Sequence, residues 1–191
     1  GDSARNAFLN CSANLVFAER GDIEAARDRL AGIARDARAL DLLFVSLKAD
    51  FFAATLLYRN GRYRDALESL KACIPRQLEL GHLNFLVQEL VLEPEMTIAF
   101  LRSVDDPTVK ESVIHLLARH WSGMSLIVGA LALDPISGVA ATRAAVAHRS
   151  EAEVASILAK ATRSPFPEVR KVVAQVRRRD RTPSPSAESG R

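Results

Sequence analysis

The sequence predicts an all-α fold, a right-handed α-α superhelix (solenoid) of helical hairpins. Its composition is 48% hydrophobic but only 6% aromatic, and its wealth of alanine, leucine, valine and arginine is typical of packed helices. One motif occurs twice in the first half, and another occurs three times at a fixed spacing in the second half. Such recurrence indicates repeating units that bury their apolar faces only by stacking on their neighbours.

The first-half motif is Gly-x-apolar-x-x-Ala, which occurs at residues 21–26 and 61–66. In both copies the glycine follows an apolar stretch and a polar pair, so we expect it to take the left-handed conformation that ends a helix. The alanine then lets the next helix approach the previous one closely. Helices are therefore predicted at about 3–20, 22–39, 42–59 and 63–80.

One aspartate and two prolines are expected to influence where helices of the first half begin or end. Asp41 is predicted to cap the helix over 42–59. Pro75 lies inside the next helix, and because proline has no amide hydrogen, a kink or an early end near Ile74 is predicted. The sequence of residues 82–103 predicts a short segment and then another helix, which has Pro94 in its first turn.

The second-half period is carried by three equally spaced valines: Val109, Val139 and Val169. The sequence of each unit predicts a helix, then a turn that contains Asp-Pro or Ser-Pro, and then a second helix that begins near the aligned valine. The middle unit departs from the pattern, because Arg143 stands where the other units have Val113 and Val173. This departure weakens either the alignment or the packing of that unit.

These patterns divide the chain into a first helical block over 1–103, a second over 104–180, and a tail over 181–191. The tail is rich in serine, proline and charge, cannot bury a core, and is predicted to be disordered. The first block has 13 basic against 14 acidic residues, whereas 104–191 has 13 against 9. A modest basic excess can attract nucleic acid or an acidic protein, but a dedicated DNA-binding domain would be more basic.

The cysteine spacing and hydropathy indicate a cytoplasmic protein. Cys11 and Cys73 lie far apart in the sequence, with no histidine at ligand spacing, so we expect buried, reduced thiols and not a disulfide or a metal site. No run of about 18 uncharged apolar residues exists, so no membrane span is expected. No signal-peptide pattern is visible.

No residue pattern in the sequence indicates catalysis. It lacks a Gly-x-Ser-x-Gly elbow and a glycine-rich phosphate loop. None of the four histidines has a partner at metal-site spacing, and His115 and His120, five residues apart, do not share a helical face. We therefore expect no enzyme activity, no metal site and no cofactor.

The candidate binding site is a ladder of arginines. Arg119, Arg149 and Arg179 occupy the same place in the three second helices, so stacking of the units would align them. An arginine guanidinium donates two hydrogen bonds at once to a phosphate or carboxylate. The alternative is that each arginine only complements the dipole at a helix C-terminus. Further basic residues extend one end of the ladder: Arg170, Lys171, Arg177 and Arg178.

Two repeat families resemble these segments. Gly61–Leu70, and less closely Gly21–Leu30, resemble the turn and second helix of a tetratricopeptide repeat, although the spacing of the two copies exceeds the regular period of that repeat. The run Pro-Glu-Val-Arg-Lys-Val-Val-Ala at 167–174 is similar to the short HEAT-like repeat of phycobilisome-lyase relatives and many bacterial scaffolds. The HEAT-like resemblance covers about 95–179.

The first block, about 1–103 and especially Ala37 to Ser103, also resembles the helical sensor region of large ATP-dependent bacterial transcription regulators of the LuxR and SARP kinds. In such proteins a helical array relays ligand or protein binding to a DNA-binding domain. No phosphate loop and no closing helix-turn-helix accompany it here. The resemblance implies a non-enzymatic protein-interaction or sensing module with a protein partner.

Two other functions stay open at this stage. Nucleic-acid backbone binding through the arginine ladder is the main alternative, since phosphate contacts need only well-placed basic side chains. Trp121 is the single aromatic near the ladder, which argues against single-stranded nucleic acid. An accessory subunit of an enzyme is a third possibility, implied by the HEAT-like resemblance alone.

Overall fold

A computed structural model describes residues 23–81 and 83–179 of the protein. In this part of the chain all regular structure is helical, which confirms the all-α prediction. None of these helices has the length and apolarity needed to cross a bilayer. The predicted helix over 3–20 and the predicted disordered tail lie outside the described residues.

The described residues form ten helices, and the chain divides into two compact units after Val104. The first unit contains α1 (Ile23–Ala39), α2 (Leu43–Arg59), α3 (Tyr63–Glu79), α4 (Leu83–Leu92) and α5 (Pro94–Ser103). The second contains α6 (Pro107–Arg119), α7 (Met124–Ala130), α8 (Pro135–His148), α9 (Glu151–Ala161) and α10 (Pro167–Arg179).

The first three described helices are equal in length, and their bounds confirm the predicted helices within one residue. The turns that follow them carry a residue with positive φ at Asp41 (56°), Gly61 (76°) and Gly81 (72°). After Asp41 and Gly61, the next amide donates to a carbonyl five residues earlier, at 2.8 and 2.9 Å. The same helix-ending turn thus follows both α1 and α2.

The prediction that Asp41 caps α2 is wrong, and so is an early end near Ile74, one of the two alternatives predicted for Pro75. Asp41 does not cap α2; the cap position is Leu42, and it makes no side-chain cap bond. Asp41 instead takes the left-handed role of glycine, which a short polar side chain tolerates better than most. Pro75 does not end α3, which continues to Glu79, because the last turn is held by packing: Gln77 is buried and donates to the Leu47 carbonyl at 3.3 Å.

The core of the first unit forms around α2, which packs against both α1 and α3. Its phenylalanines also meet α4: the ring of Phe85 contacts Phe44, Phe51 and Phe52 edge-on, with centroid distances of 5.8–6.0 Å. Edge-to-face contacts of this kind stabilise a core beyond the burial of area. α4 and α5 pack against α3 and against each other.

Cys73 is buried in α3 as a free thiol. Burial, followed by the nearby charge of Asp50, raises its pKa, so it is not a reactive thiolate at neutral pH. Cys11 lies outside the described residues.

In the second unit α8 is the central helix. It packs against α6 on one side and α10 on the other, with α7 against α6 and α8, and α9 against α8 and α10. The buried residues of α8 are small, mostly alanine, serine and glycine. Gly138 permits the closest approach, because a Cβ there would lie 2.5 Å from Cγ2 of Val169 on α10.

The helix–turn–helix pairs α7–α8 and α9–α10 occur where the sequence predicts them, but the spacing between corresponding helix starts departs from the predicted period, and the aligned valines are not equivalent. Val109 and Val169 are the third residues of α6 and α10, whereas Val139 is the fifth residue of α8. The alignment is therefore displaced by two residues in the middle unit. The displacement arises because α8 begins at Pro135, two residues earlier than the alignment on Val139 requires.

This displacement explains the position of Arg143. With the shift of two residues, the buried Ala141 takes the place that Val113 and Val173 hold in the neighbouring helices. Arg143 falls on the exposed side of α8. Of the two alternatives, the alignment of the middle unit is therefore incorrect, whereas the packing of α8 is not weakened.

Aspartate side chains cap the N-termini of α6 and α8. The carboxylate of Asp106 accepts from the Thr108 amide at 2.8 Å, and that of Asp134 accepts from the Ser137 amide at 2.9 Å. Asp134 also accepts from the ammonium of the buried Lys110 at 2.8 Å. Burial by itself raises the pKa of Asp134, but the bonds from Lys110 and Ser137 outweigh it and hold the pKa below its usual range.

Replacement of this carboxylate should be costly and pH-dependent. Asp134→Asn is expected to lower the free energy of unfolding by about 2 kcal/mol at neutral pH, because Lys110 stays buried without its counter-charge. Asparagine is itself a good N-cap, so the loss reports the ion pair. Since the folded-state pKa is depressed, this stabilisation is present above the unfolded-state pKa and is lost as pH falls through the folded-state pKa.

Denaturant unfolding of both proteins, followed by circular dichroism at neutral pH and at about pH 2, measures this dependence. The difference between wild type and variant should shrink in acid. An equal difference at both pH values would show that the ion pair does not contribute.

Candidate interaction surface

A groove runs along the exposed face of α8, and we call it the α8 groove. It has two parts, of about 240 and 310 Å³, and Arg143 lines both. The first part lies at the start of α8 and is lined by Glu111, Pro135, Ile136, Val139, Ala140, Arg143 and Glu168. The second lies towards its end and is lined by Arg143, Val146, Ala147, Val172, Gln175, Val176 and Arg179.

The floor of the α8 groove follows from helix periodicity. Ile136, Val139, Arg143 and Val146 are spaced by three or four residues and so share one face of α8. Because α6 and α10 cover the flanks of α8, this face is the part left open. Ile136 is 46% exposed and Val146 is 41% exposed, and exposed apolar side chains that adjoin in one groove are typical of an interaction site.

The charged residues of the α8 groove follow an order along it. Glu111 and Glu168 line only its first part, Arg179 lines only its second part, and Arg143 lies between them and lines both. Within the described residues, the side chains of Glu168 and both arginines make no hydrogen bond or ion pair, whereas that of Glu111 lies 3.9 Å from Nε2 of His115. The two carboxylates therefore lie at one end of the groove, and the two guanidinium groups lie at its middle and its other end.

The structure does not bring the three predicted arginines into one exposed ladder. The side chain of Arg149 is only 6% exposed, and its guanidinium donates to the carbonyls of Leu117 (3.3 Å), His120 (2.7 Å) and Trp121 (3.4 Å). The displaced register makes Arg149 the residue after α8, and from there it reaches the end of α6. It stabilises the fold and offers no free donor fork to a ligand.

Arg119 is the last residue of α6 and is exposed. It lies near a histidine pair that the sequence did not predict: Nδ1 of His115 is 3.3 Å from Nε2 of His148. Burial lowers the pKa of His148, and the charges of Arg119 and His115 lower it further. The two histidines are far apart in the sequence, so only the packing of α6 on α8 reveals their contact.

The other predicted basic residues lie on the exposed surface of α10: Arg170, Lys171, Arg177, Arg178 and Arg179. Two of them bind the segment before the helix. Arg170 donates to the Ser164 carbonyl at 2.5 Å, and Arg177 to the Thr162 hydroxyl at 3.2 Å. Arg179 lines the α8 groove, so the predicted site and the observed groove share this residue.

Sequence reasoning missed the α8 groove. The departure of Arg143 from the apolar pattern reflects the displaced register described above, so it did not by itself indicate a surface site. No group of three or more histidine, cysteine or acidic side chains that could hold a metal ion occurs in residues 23–81 and 83–179.

The turn between α6 and α7 presents Trp121, whose side chain is 83% exposed. Two features fix this turn. Arg149 binds the carbonyls of His120 and Trp121 in the turn and that of Leu117 in α6, and Gly123 leaves no room for a side chain, because a Cβ there would lie 2.0 Å from the Leu117 oxygen. The turn is therefore fixed both by its own glycine and by a side chain from the end of α8.

Comparison with known proteins gives no family for this chain: no protein-family model, no curated protein and no solved structure matches it. The resemblances to tetratricopeptide and HEAT-like repeats therefore rest on the residues that carry them.

Proposed function

We propose that the chain is a non-enzymatic protein-interaction module, the sensing or scaffold region of a bacterial regulatory protein that acts in the cytoplasm. In this proposal each block is a right-handed α-α solenoid of helical hairpins, tetratricopeptide-like in the first block and HEAT-like in the second. The observation that supports an interaction function is the α8 groove, which combines exposed apolar side chains with three charged side chains, those of Arg143, Glu168 and Arg179, that have no partner within the described residues. Side-by-side helices keep such a surface in a fixed shape.

The chemistry of the α8 groove favours a protein partner over a nucleic-acid backbone. A surface that binds a phosphate backbone carries positive charge throughout, but the acidic side chains of Glu111 and Glu168 line one end of this groove. Apolar walls between charges suit side chains of a polypeptide. Since Arg149 is bound to carbonyls, the predicted ladder also lacks its middle member.

Site-specific photo-crosslinking tests the proposed function. A photoreactive amino acid at Val146, in the groove, is compared with the same amino acid at Ala159, an exposed position on α9. In extract of the source cells, the Val146 protein should crosslink to one discrete protein, and excess unlabelled wild type should suppress the product. Equal crosslinking at both positions, or none above background, would contradict an interaction surface at α8.

Nucleic-acid backbone binding is the second candidate, and the charge of α10 favours it. Residues 160–181 contain eight basic residues against two acidic ones. Fluorescence anisotropy with a random DNA duplex at about 50 and 200 mM salt separates the two functions, because phosphate-driven binding collapses over this range. The leading proposal expects no binding at either salt concentration; tight binding at low salt that collapses at high salt would replace it with the second.

A further inference from the structure

We infer that the α8 groove binds a linear peptide segment of another protein, in which apolar side chains separate a basic residue from acidic residues. This inference rests on the proposed function, because it names the partner chemistry for the same surface. It draws on the length of the groove, its walls and the order of its charges.

The length of the groove suits a short peptide. Its α8 floor extends from Ile136 to Ala147, which at about 1.5 Å per residue is roughly 16 Å. An extended chain at about 3.3 Å per residue covers this distance with about five residues. The surface is therefore long enough to contact several consecutive side chains, with α10 along both parts and Glu111 of α6 beside the first.

The walls of the groove are apolar along its whole length. Ile136 and Val139 line the first part, and Val146, Val172 and Val176 line the second part. A peptide that lies over them gains by burying aliphatic side chains of its own. A polar or uniformly charged segment would not gain this burial.

The charges determine the direction of the peptide. Arg143 and Arg179 can each bind a carboxylate through two parallel hydrogen bonds, and both lack a partner among the described residues. Glu111 and Glu168 complement a lysine or arginine at the other end. A peptide in the reverse direction would place like charges together, and such contacts are unfavourable across an interface.

A phage-displayed random peptide library tests the inference with three proteins: wild type, the double variant Arg143→Glu/Arg179→Glu, and the control Arg163→Glu. Arg163 is an exposed arginine in the same unit and lies outside the residues that line the groove. Wild type and control should enrich apolar peptides with aspartate or glutamate at one end. The double variant should enrich peptides that have lysine or arginine there.

The enriched peptides are then synthesised and titrated by fluorescence anisotropy. An acidic peptide selected by wild type should lose at least about tenfold in affinity for the double variant, and exchange of its acidic residues for lysine should restore binding. That restoration also shows that the variant is folded. Arg163→Glu should bind the acidic peptide like wild type.

Two outcomes overturn the inference. If the peptides bind wild type and the double variant with equal affinity, they do not use the charges of the α8 groove, although a protein-interaction function would stand. If no peptide is enriched on wild type, the groove does not bind linear segments. The photo-crosslinking at Val146 decides the proposed function separately, because it detects a folded partner as well as a peptide.

Discussion

Gly123→Ala is expected to lower the free energy of unfolding by about 3 kcal/mol. A Cβ at Gly123 would lie 2.0 Å from the carbonyl oxygen of Leu117 and 2.9 Å from its carbon. Both are backbone atoms, so no side-chain rotation can relieve the overlap. The end of α6 or the start of α7 must move, and the Gly123 amide bond to the His120 carbonyl (2.9 Å) would be strained.

Gly32→Ala is the matched control, because it makes the same change where there is space. Gly32 lies inside α1, and a Cβ there meets no atom within 4 Å. Alanine should therefore stabilise the protein by about 0.5–1 kcal/mol through its higher helix propensity. Urea unfolding followed by circular dichroism measures both changes, and a loss of similar size in both variants would contradict the steric argument.

Arg149→Met is expected to cost about 3 kcal/mol of unfolding free energy. The substitution keeps most of the buried length of the side chain but removes all of its donors. The carbonyls of Leu117, His120 and Trp121 then lose a charged hydrogen-bond donor, and bonds from a charged donor contribute more than neutral ones. The Leu117 and His120 carbonyls keep only their backbone bonds from the His120 and Gly123 amides. The ion pair with Glu153, at 3.3 Å, is lost as well.

Two comparisons separate this structural role from a general effect of charge. Arg143→Met removes an exposed guanidinium that has no partner within the described residues, and it should change stability by no more than about 0.5 kcal/mol. Arg149→Lys should recover only part of the loss, because an ammonium cannot spread its donors over three carbonyls as a planar guanidinium does. Thermal unfolding of the three variants ranks their losses of stability. Equal losses for Arg143→Met and Arg149→Met would contradict a structural role for Arg149.

The parts of the fold that the sequence predicts correctly are those set by local signals. The bounds of α2 and α3 follow from apolar periodicity and from Gly61, whose left-handed conformation is a property of the residue itself. Asp41 was assigned the wrong role because aspartate serves both as an N-cap and as a left-handed residue. Only the observed positive φ distinguishes the two roles.

The errors in the candidate site come from register and packing, which no local pattern determines. Arg149 and Arg119 are equivalent in the repeat alignment, yet α8 begins two residues earlier than that alignment requires, and Arg149 therefore binds the preceding turn. The α8 groove depends on which face of α8 its neighbours leave open. That information lies in contacts between helices and not in the residues of α8 alone.

The recurring turns of the first unit have a consequence for how its length can vary. Each turn reverses the chain, so successive helices of such hairpins run in opposite directions. Loss or gain of a single helix with its turn would leave all later helices pointing the wrong way, whereas a change of two helices restores the direction. We therefore expect insertions and deletions in this unit to come in even numbers of helices, so that the polarity of everything downstream is preserved.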